Sequence, residues 1–190
     1  MTEPLARTPL TDDALPALTG MRLEAVAPGE ILNVRGNGGD PAFTEAVASA
    51  LGCPPPVTPN TWAPGEGLHL LWVGPDEWLA VVDAEGPSGR LAALRNALGT
   101  QHAAVTALGA GYAAVQMAGE RARDALSRGT PLDIHPREFG PGQCAQTRLA
   151  HASVVLWQLD AAPTFRLLIR RSMSGYLRDW LHAVMRRMDG

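Results

Sequence analysis

Lysine is absent. All 16 basic residues are arginine, so the ammonium that a P-loop needs at its phosphates cannot be supplied. Cysteine is scarce: Cys53 and Cys144 are the two present, and they stand far apart. That excludes a CxxC motif, a Cys/His zinc cluster and a disulfide framework, and leaves buried, reduced thiols in a cytoplasmic protein as the expectation. No segment approaches the roughly 20 consecutive apolar residues of a membrane span. The start, Met1-Thr2-Glu3-Pro4, carries no basic region followed by an apolar run, so no secretory signal is expected there.

What the chain does have is enough apolar material for a core. It is 190 residues long and 46% hydrophobic, which can fold without metal or disulfide staples. Its charge is uneven. Residues 1–100 carry 12 acidic and 5 basic residues, a net of −7, whereas residues 101–190 carry 7 and 11, a net of +4. A GC-rich genome accounts for the arginine usage. The asymmetry is explained equally well by composition or by an arginine-bearing face for a partner or anionic ligand. Nucleic acid is not an expected partner, because the net charge is −3 and no basic stripe interleaves with aromatics.

Periodicity predicts an alternation of strands and helices. Residues 1–25 mix Pro, Thr and Asp with scattered leucines and read as a loose arm, and residues 26–190 read as one domain of two lobes. Residues 30–35 alternate as a strand. Asp40-Pro41 then opens a helix that Gly52 closes. Residues 53–67, rich in Pro and Gly, read as a long connection. Two apolar runs, 69–73 and 78–82, flank the turn Gly74-Pro75-Asp76-Glu77 and predict a hairpin. Ser88 is the expected cap of a helix ending at Leu98. Residues 103–107 and 112–117 are strand-like, and a short helix covers 120–127. Three strands follow at 144–149, 153–159 and 165–169. A final helix over 175–188 places Tyr176, Leu177, Trp180, Leu181, Val184, Met185 and Met188 on one face. Hairpins between helices predict an α+β fold with mainly antiparallel sheets and helices packed on one face.

Few constellations carry chemistry. The loop Gly36-Asn37-Gly38-Gly39 lies between a strand and a helix, but it lacks the dinucleotide fingerprint. Asp40 at the helix start opposes an anion there, so a tight turn is the favoured reading. The five histidines show no metal-ligand spacing, and no G-x-S-x-G elbow occurs. Cys144 follows His135 by nine residues, yet it opens an apolar strand, where an inert thiol is the commoner outcome. In Gly129-Thr130-Pro131-Leu132-Asp133-Ile134-His135-Pro136 two prolines fix the backbone around an acid and a histidine. The segment reads either as a contact or ligand surface or as a turn in which Asp133 caps the loop's own N–H groups.

An ordered set of segments resembles the gamma subunit family of heterotetrameric sarcosine oxidase. They are Leu71-Trp72-Val73-Gly74-Pro75-Asp76-Glu77-Trp78-Leu79, the stretch from Arg123 through Pro136, and the FGPGQCAQT run from Phe139 through Thr147. Ala162-Pro163-Thr164-Phe165 and Arg170-Arg171-Ser172 with Tyr176, Asp179 and Trp180 complete it. The resemblance covers about residues 30–182.

It implies a subunit of a flavoenzyme that oxidises sarcosine to glycine with hydrogen peroxide as product, tetrahydrofolate capturing the one-carbon unit as 5,10-methylenetetrahydrofolate. The implied partners are the alpha, beta and delta subunits. FAD, FMN, NAD, tetrahydrofolate and zinc are expected in those partners, and no cofactor in this chain. The implied fold is that of the folate-binding lobes of aminomethyltransferases, here two small interlocked α+β lobes. Where aminomethyltransferase-like sequences often carry Asp-x-Ser, alignment through Gly119 puts Ala107-Leu108-Gly109, and alanine cannot replace a general acid or base. A non-catalytic, mainly structural role is therefore expected, with no catalytic and no metal residues. Pro75, Asp76, Trp78, Asp133, His135 and Gln146 are the interface or fold-determining candidates. The alternative is a stand-alone folate-binding or aminomethyltransferase-like protein.

Overall fold

The computed structural model describes residues 10, 15–16 and 18–189. In chain order the elements are β1 (Arg22–Val26), β2 (Pro28–Arg35), α1 (Pro41–Leu51), β3 (Trp62–Gly65), β4 (Leu68–Gly74), β5 (Glu77–Asp83), α2 (Arg90–Leu98), β6 (Ala104–Ala107), β7 (Tyr112–Ala118), α3 (Ala122–Ser127), β8 (Cys144–Leu149), β9 (Ala152–Asp160), β10 (Thr164–Arg170) and α4 (Ser174–Asp189). They form two compact units. One comprises residues 28–109, and the other combines 1–27 with 110–190, so the first is inserted in the chain of the second.

The 28–109 unit holds a sheet of order β3-β4-β5-β2-β6, antiparallel throughout. Its inward positions follow the strand period: Leu32 and Val34 on β2, Leu68 and Leu70 on β4, Trp78, Ala80 and Val82 on β5. They pack with Phe43, Val47, Ala50 and Leu51 of α1 and Leu94 and Leu98 of α2. Helix α1 starts and stops as expected. Asp40 accepts from the Ala42 N–H at 3.0 Å, and Gly52 ends the helix at φ 77°. Arg90 donates to the Ala50 carbonyl at 2.8 Å, placing a cation at the helix end where carbonyls are left over.

The other unit holds the antiparallel sheet β1-β7-β10-β9-β8. One face carries Val115, Met117, Val154, Leu156, Leu167 and Ile169, packed with α3 and α4. Helix α4 buries Leu177, Leu181, Val184, Met185 and Met188, gross burial on the order of 10 kcal/mol before ordering entropy is subtracted. The α+β class, the antiparallel sheets and the helix-covered faces agree with the sequence reading.

Four local expectations differ from the structure. The arm read over 1–25 includes β1, which pairs with β7 from Arg22↔Ala118 to Val26↔Ala114. Leu10, Leu18 and Met21 are also buried in the same core. Residues 1–9, 11–14 and 17 of that segment lie outside the described residues. The long connection contains β3, an edge strand in which Pro64 is tolerated because edge positions need not donate to a ladder. Ser88 does not cap α2. Its first turn is preceded by Gly89 without a side-chain cap, and Glu30 of β2 supplies both oxygens, accepting from the Gly89 and Leu91 N–H groups at 2.5 and 3.0 Å. Finally, β6 and β7 are not hairpin partners: β6 pairs with β2 and β7 with β1 and β10.

Candidate functional site

In the 28–109 unit the end of β2, the start of α1, the β4–β5 turn and residues 101–104 surround an open cleft of about 730 Å³. The glycine loop enters it tightly. The Gly36 N–H donates to the Asp76 carbonyl at 3.1 Å, and a Cβ on Gly36 would lie 2.2 Å from the Phe43 ring, so no larger residue fits. Asn37 turns the loop by accepting from the Gly39 N–H at 3.0 Å. At the rim Arg35 donates to Asp76 at 2.6 Å and lies 3.7 Å from Glu77. Glu77 also accepts from Asn33 at 2.7 Å. The hydrogen bond from Arg35 holds the Asp76 carboxyl below its ordinary range, and the same carboxylate raises Arg35. Of the two acids that line the cleft, Asp76 is thus engaged by a cation and Asp40 caps α1.

The first three candidate residues are brought to this hairpin, in different roles. Pro75 and Asp76 are exposed at the turn and line the cleft. Trp78 is 1% exposed. Its ring lies 5.5 Å from that of Phe43, and its indole N–H donates to the Pro56 carbonyl at 2.8 Å. That satisfies the one polar group of a buried tryptophan and ties the hairpin to the 53–61 connection.

The other three belong to the second unit. Asp133 accepts from the His135 N–H at 2.9 Å, and His135 Nδ1 accepts from the Arg137 N–H at 3.3 Å. Both side chains therefore serve the backbone of their own loop, the turn reading of that segment. Gln146 projects from β8 onto a separate groove of about 540 Å³ that also contains Tyr112, Arg148 and Arg170. The structure does not gather Asp133, His135 and Gln146 around one cavity.

Sequence reasoning passed over Arg123 on α3. Its guanidinium donates to Gln158 Oε1 at 2.7 Å, to the Phe139 carbonyl at 3.0 Å and to the Ile134 carbonyl. It also lies 5.0 Å from the centroid of the Phe165 ring. Partial burial lowers its pKa from the ordinary value without threatening its charge. One side chain thus fastens the loop around Asp133 and His135 to α3 and β9. The only signal available in sequence was its place inside the Arg123-to-Pro136 segment.

Both cysteines are buried and neither is in a disulfide, and burial pushes the Cys53 thiol up to about 11. Among the described residues no three His, Cys, Asp or Glu side chains converge as a metal site. No described helix is long and apolar enough to cross a membrane.

Against this geometry, the profile of the family described as "Sarcosine oxidase, gamma subunit family" matches residues 35–186. The chain belongs to this family. The sarcosine oxidase gamma subunit of Corynebacterium sp. (strain P-1) is 35% identical over 150 residues, covering 78% of this chain and 70% of the relative. That of Corynebacterium sp. (strain U-96) is 36% identical over 115 residues, covering 60% of this chain. The match spans only 55% of the U-96 relative's own length. A chain in the solved heterotetrameric sarcosine oxidase from Corynebacterium sp. U-96, in complex with pyrrole 2-carboxylate, superposes with a TM-score of 0.83. It is 30% identical, and the superposition covers 93% of this chain and 89% of that one. The glycine cleavage system aminomethyltransferase T of Bartonella henselae superposes with a TM-score of 0.65 at 14% identity, covering 85% of this chain and 45% of that one. This shared architecture is a statement of fold alone.

Proposed function

We propose that this chain is the gamma subunit of a heterotetrameric sarcosine oxidase, with an assembly role and no catalytic residue of its own. The observation that carries the proposal is the superposition on a chain of that heterotetramer along nearly the whole length. In this reading it assembles with alpha, beta and delta subunits in the cytoplasm. With oxygen as electron acceptor the complex demethylates sarcosine oxidatively to glycine and hydrogen peroxide, and tetrahydrofolate captures the one-carbon unit. FAD, FMN, NAD, tetrahydrofolate and zinc belong to the partners. The internal use of the polar groups singled out above supports this division of labour. Asp76 is bound by Arg35, and Asp133 and His135 serve their own loop, so these three are engaged within the chain rather than with one another for proton transfer.

A tagged chain retrieved from its native host grown on sarcosine tests the reading. Co-purification of three further subunits, flavin absorbance and sarcosine-dependent peroxide are expected. A single chain without flavin would overturn it. The aminomethyltransferase-like fold supports a second reading, a stand-alone folate-binding protein. Heat released on titrating the isolated chain with tetrahydrofolate would favour that one.

A further inference from the structure

The groove beside Gln146 carries two arginines and no acid. Several arginines elsewhere lie beside carboxylates: Arg35 with Asp76, Arg128 with Asp124, Arg178 with Asp179. Arg148 and Arg170 do not. Neither is ion-paired among the described residues, and no Asp or Glu lines the groove. Both stand on strands, not loops. Arg148 pairs with Ser153 across β8–β9, and Arg170 pairs with Tyr112 across β10–β7. Arg170 lies one step beyond the Ile169–Val154 pair, level with Ser153. Arg148, Ser153, Arg170 and Tyr112 therefore make one row across four strands.

One of the two cations is held in advance. The Arg170 guanidinium lies 4.6 Å from the centroid of the Tyr112 ring, a contact that holds its side chain in place. Val155 and Leu168 of the floor are buried, and Gln146 and Ser153 add exposed polar groups beside them. The two arginines start two strands apart, roughly 10 Å at the backbone. Two carboxylates three residues apart on a polyproline II segment share one side and lie roughly 9 Å apart. Guanidinium forks bind carboxylates bidentately, and fixing the Arg170 fork beforehand reduces the ordering cost of binding.

We propose that the groove between Arg148 and Arg170 is a docking surface for an acidic segment of a partner subunit, its carboxylates on the two guanidiniums. The occupant is taken to be a subunit because of the gamma-subunit reading, on which this inference rests.

The test uses the assembled complex. Tagged wild-type chain and the double variant R148E/R170E are each reconstituted with the remaining subunits, and the dissociation constant is followed against salt concentration. The wild type is expected to assemble with an affinity that falls as salt rises. The variant is expected to bind about 10- to 100-fold more weakly, with a flatter salt dependence. R148K/R170K should fall between them, because charge is kept and the fork is lost. R148Q/R170Q, with an unchanged melting temperature, covers the case in which charge reversal disturbs folding.

Assembly of R148E/R170E or R148Q/R170Q with wild-type affinity and salt slope would overturn the docking surface while the wild-type arm still upholds the subunit reading. A wild-type chain that joins no other subunit would overturn that reading, and the docking surface with it. Unchanged assembly, together with a melting temperature that succinate or phosphate raises in the wild type and not in the variants, would assign a small-anion site and equally remove the docking surface.

Discussion

Arg123 on α3 donates to Gln158 on β9 at 2.7 Å, and the same guanidinium takes the Ile134 and Phe139 carbonyls. Gln158 is itself 1% exposed and uses its amide N–H on the Asp160 carbonyl at 2.6 Å. Helix, loop and sheet of one unit therefore meet at a single charged side chain.

Arg123→Met should cost about 2–3 kcal/mol. The aliphatic stem is retained, but several acceptors lose their donor, and a part-buried acceptor left unmade costs about 1–3 kcal/mol. Arg123→Lys should recover only part, because an ammonium cannot reproduce the planar fork. Urea melts give the magnitude. Faster amide exchange over residues 131–141 in the native state would localise it, and exchange unchanged there would contradict the fastening role.

Trp78 separates fold from interface. It is buried between the sheet and α1, with its indole N–H bound to Pro56. Trp78→Ala should destabilise by about 3–5 kcal/mol and Trp78→Phe by less. For Trp78→Phe, the affinity of the folded chain for the proposed partner subunits should equal that of the wild type. A weakened affinity with unchanged stability would instead make Trp78 an interface residue.

Much of this fold was legible because local rules sufficed. Asp40-Pro41 and Gly52 bound α1 where capping chemistry puts the ends, the Pro75-Asp76 turn marks the β4–β5 hairpin, and the apolar stripe of α4 is the one that faces the core. What stayed hidden depends on distant partners. Strands β1 and β3 lie at sheet edges, where a short strand needs one neighbour and tolerates Pro64. The assignment of β6 and β7 to different sheets turns on pairing with β2 and β10, which spacing does not encode. The same holds at side-chain level. Asp133 was legible as a turn acid because its partner is two residues away, whereas Arg123 meets Gln158 across 35 residues.

The cap of α2 illustrates such remote dependence and can be measured. Glu30 accepts from the Gly89 and Leu91 N–H groups, so a carboxylate on β2 does the work that an adjacent Ser or Asp usually does. Glu30→Ala should cost about 1–2 kcal/mol. Gly89→Asp should not rescue it, because φ 83° at Gly89 is disfavoured for a residue with a Cβ and differs from the extended backbone of a side-chain cap. Full rescue by Gly89→Asp would show that α2 takes an ordinary cap.

Cys53 gives the pH dependence. Its thiol is pushed up to about 11, chiefly by burial, with Arg90 acting weakly in the opposite direction. The folded chain therefore keeps this proton where an unfolded chain, with an ordinary thiol near 9.0, releases it. Between those two values the unfolded state binds fewer protons, so stability falls as pH rises, by at most about 1.4 kcal/mol per unit from this group. Below pH 9 the contribution is complete and flat. Cys53→Ala should remove that alkaline slope at the cost of some packing, and in the native chain at pH 8 the thiol should resist alkylation, since the thiolate is the reactive form. Rapid labelling of native Cys53 at pH 8, or an alkaline slope unchanged in Cys53→Ala, would show that the thiol is not held neutral by burial.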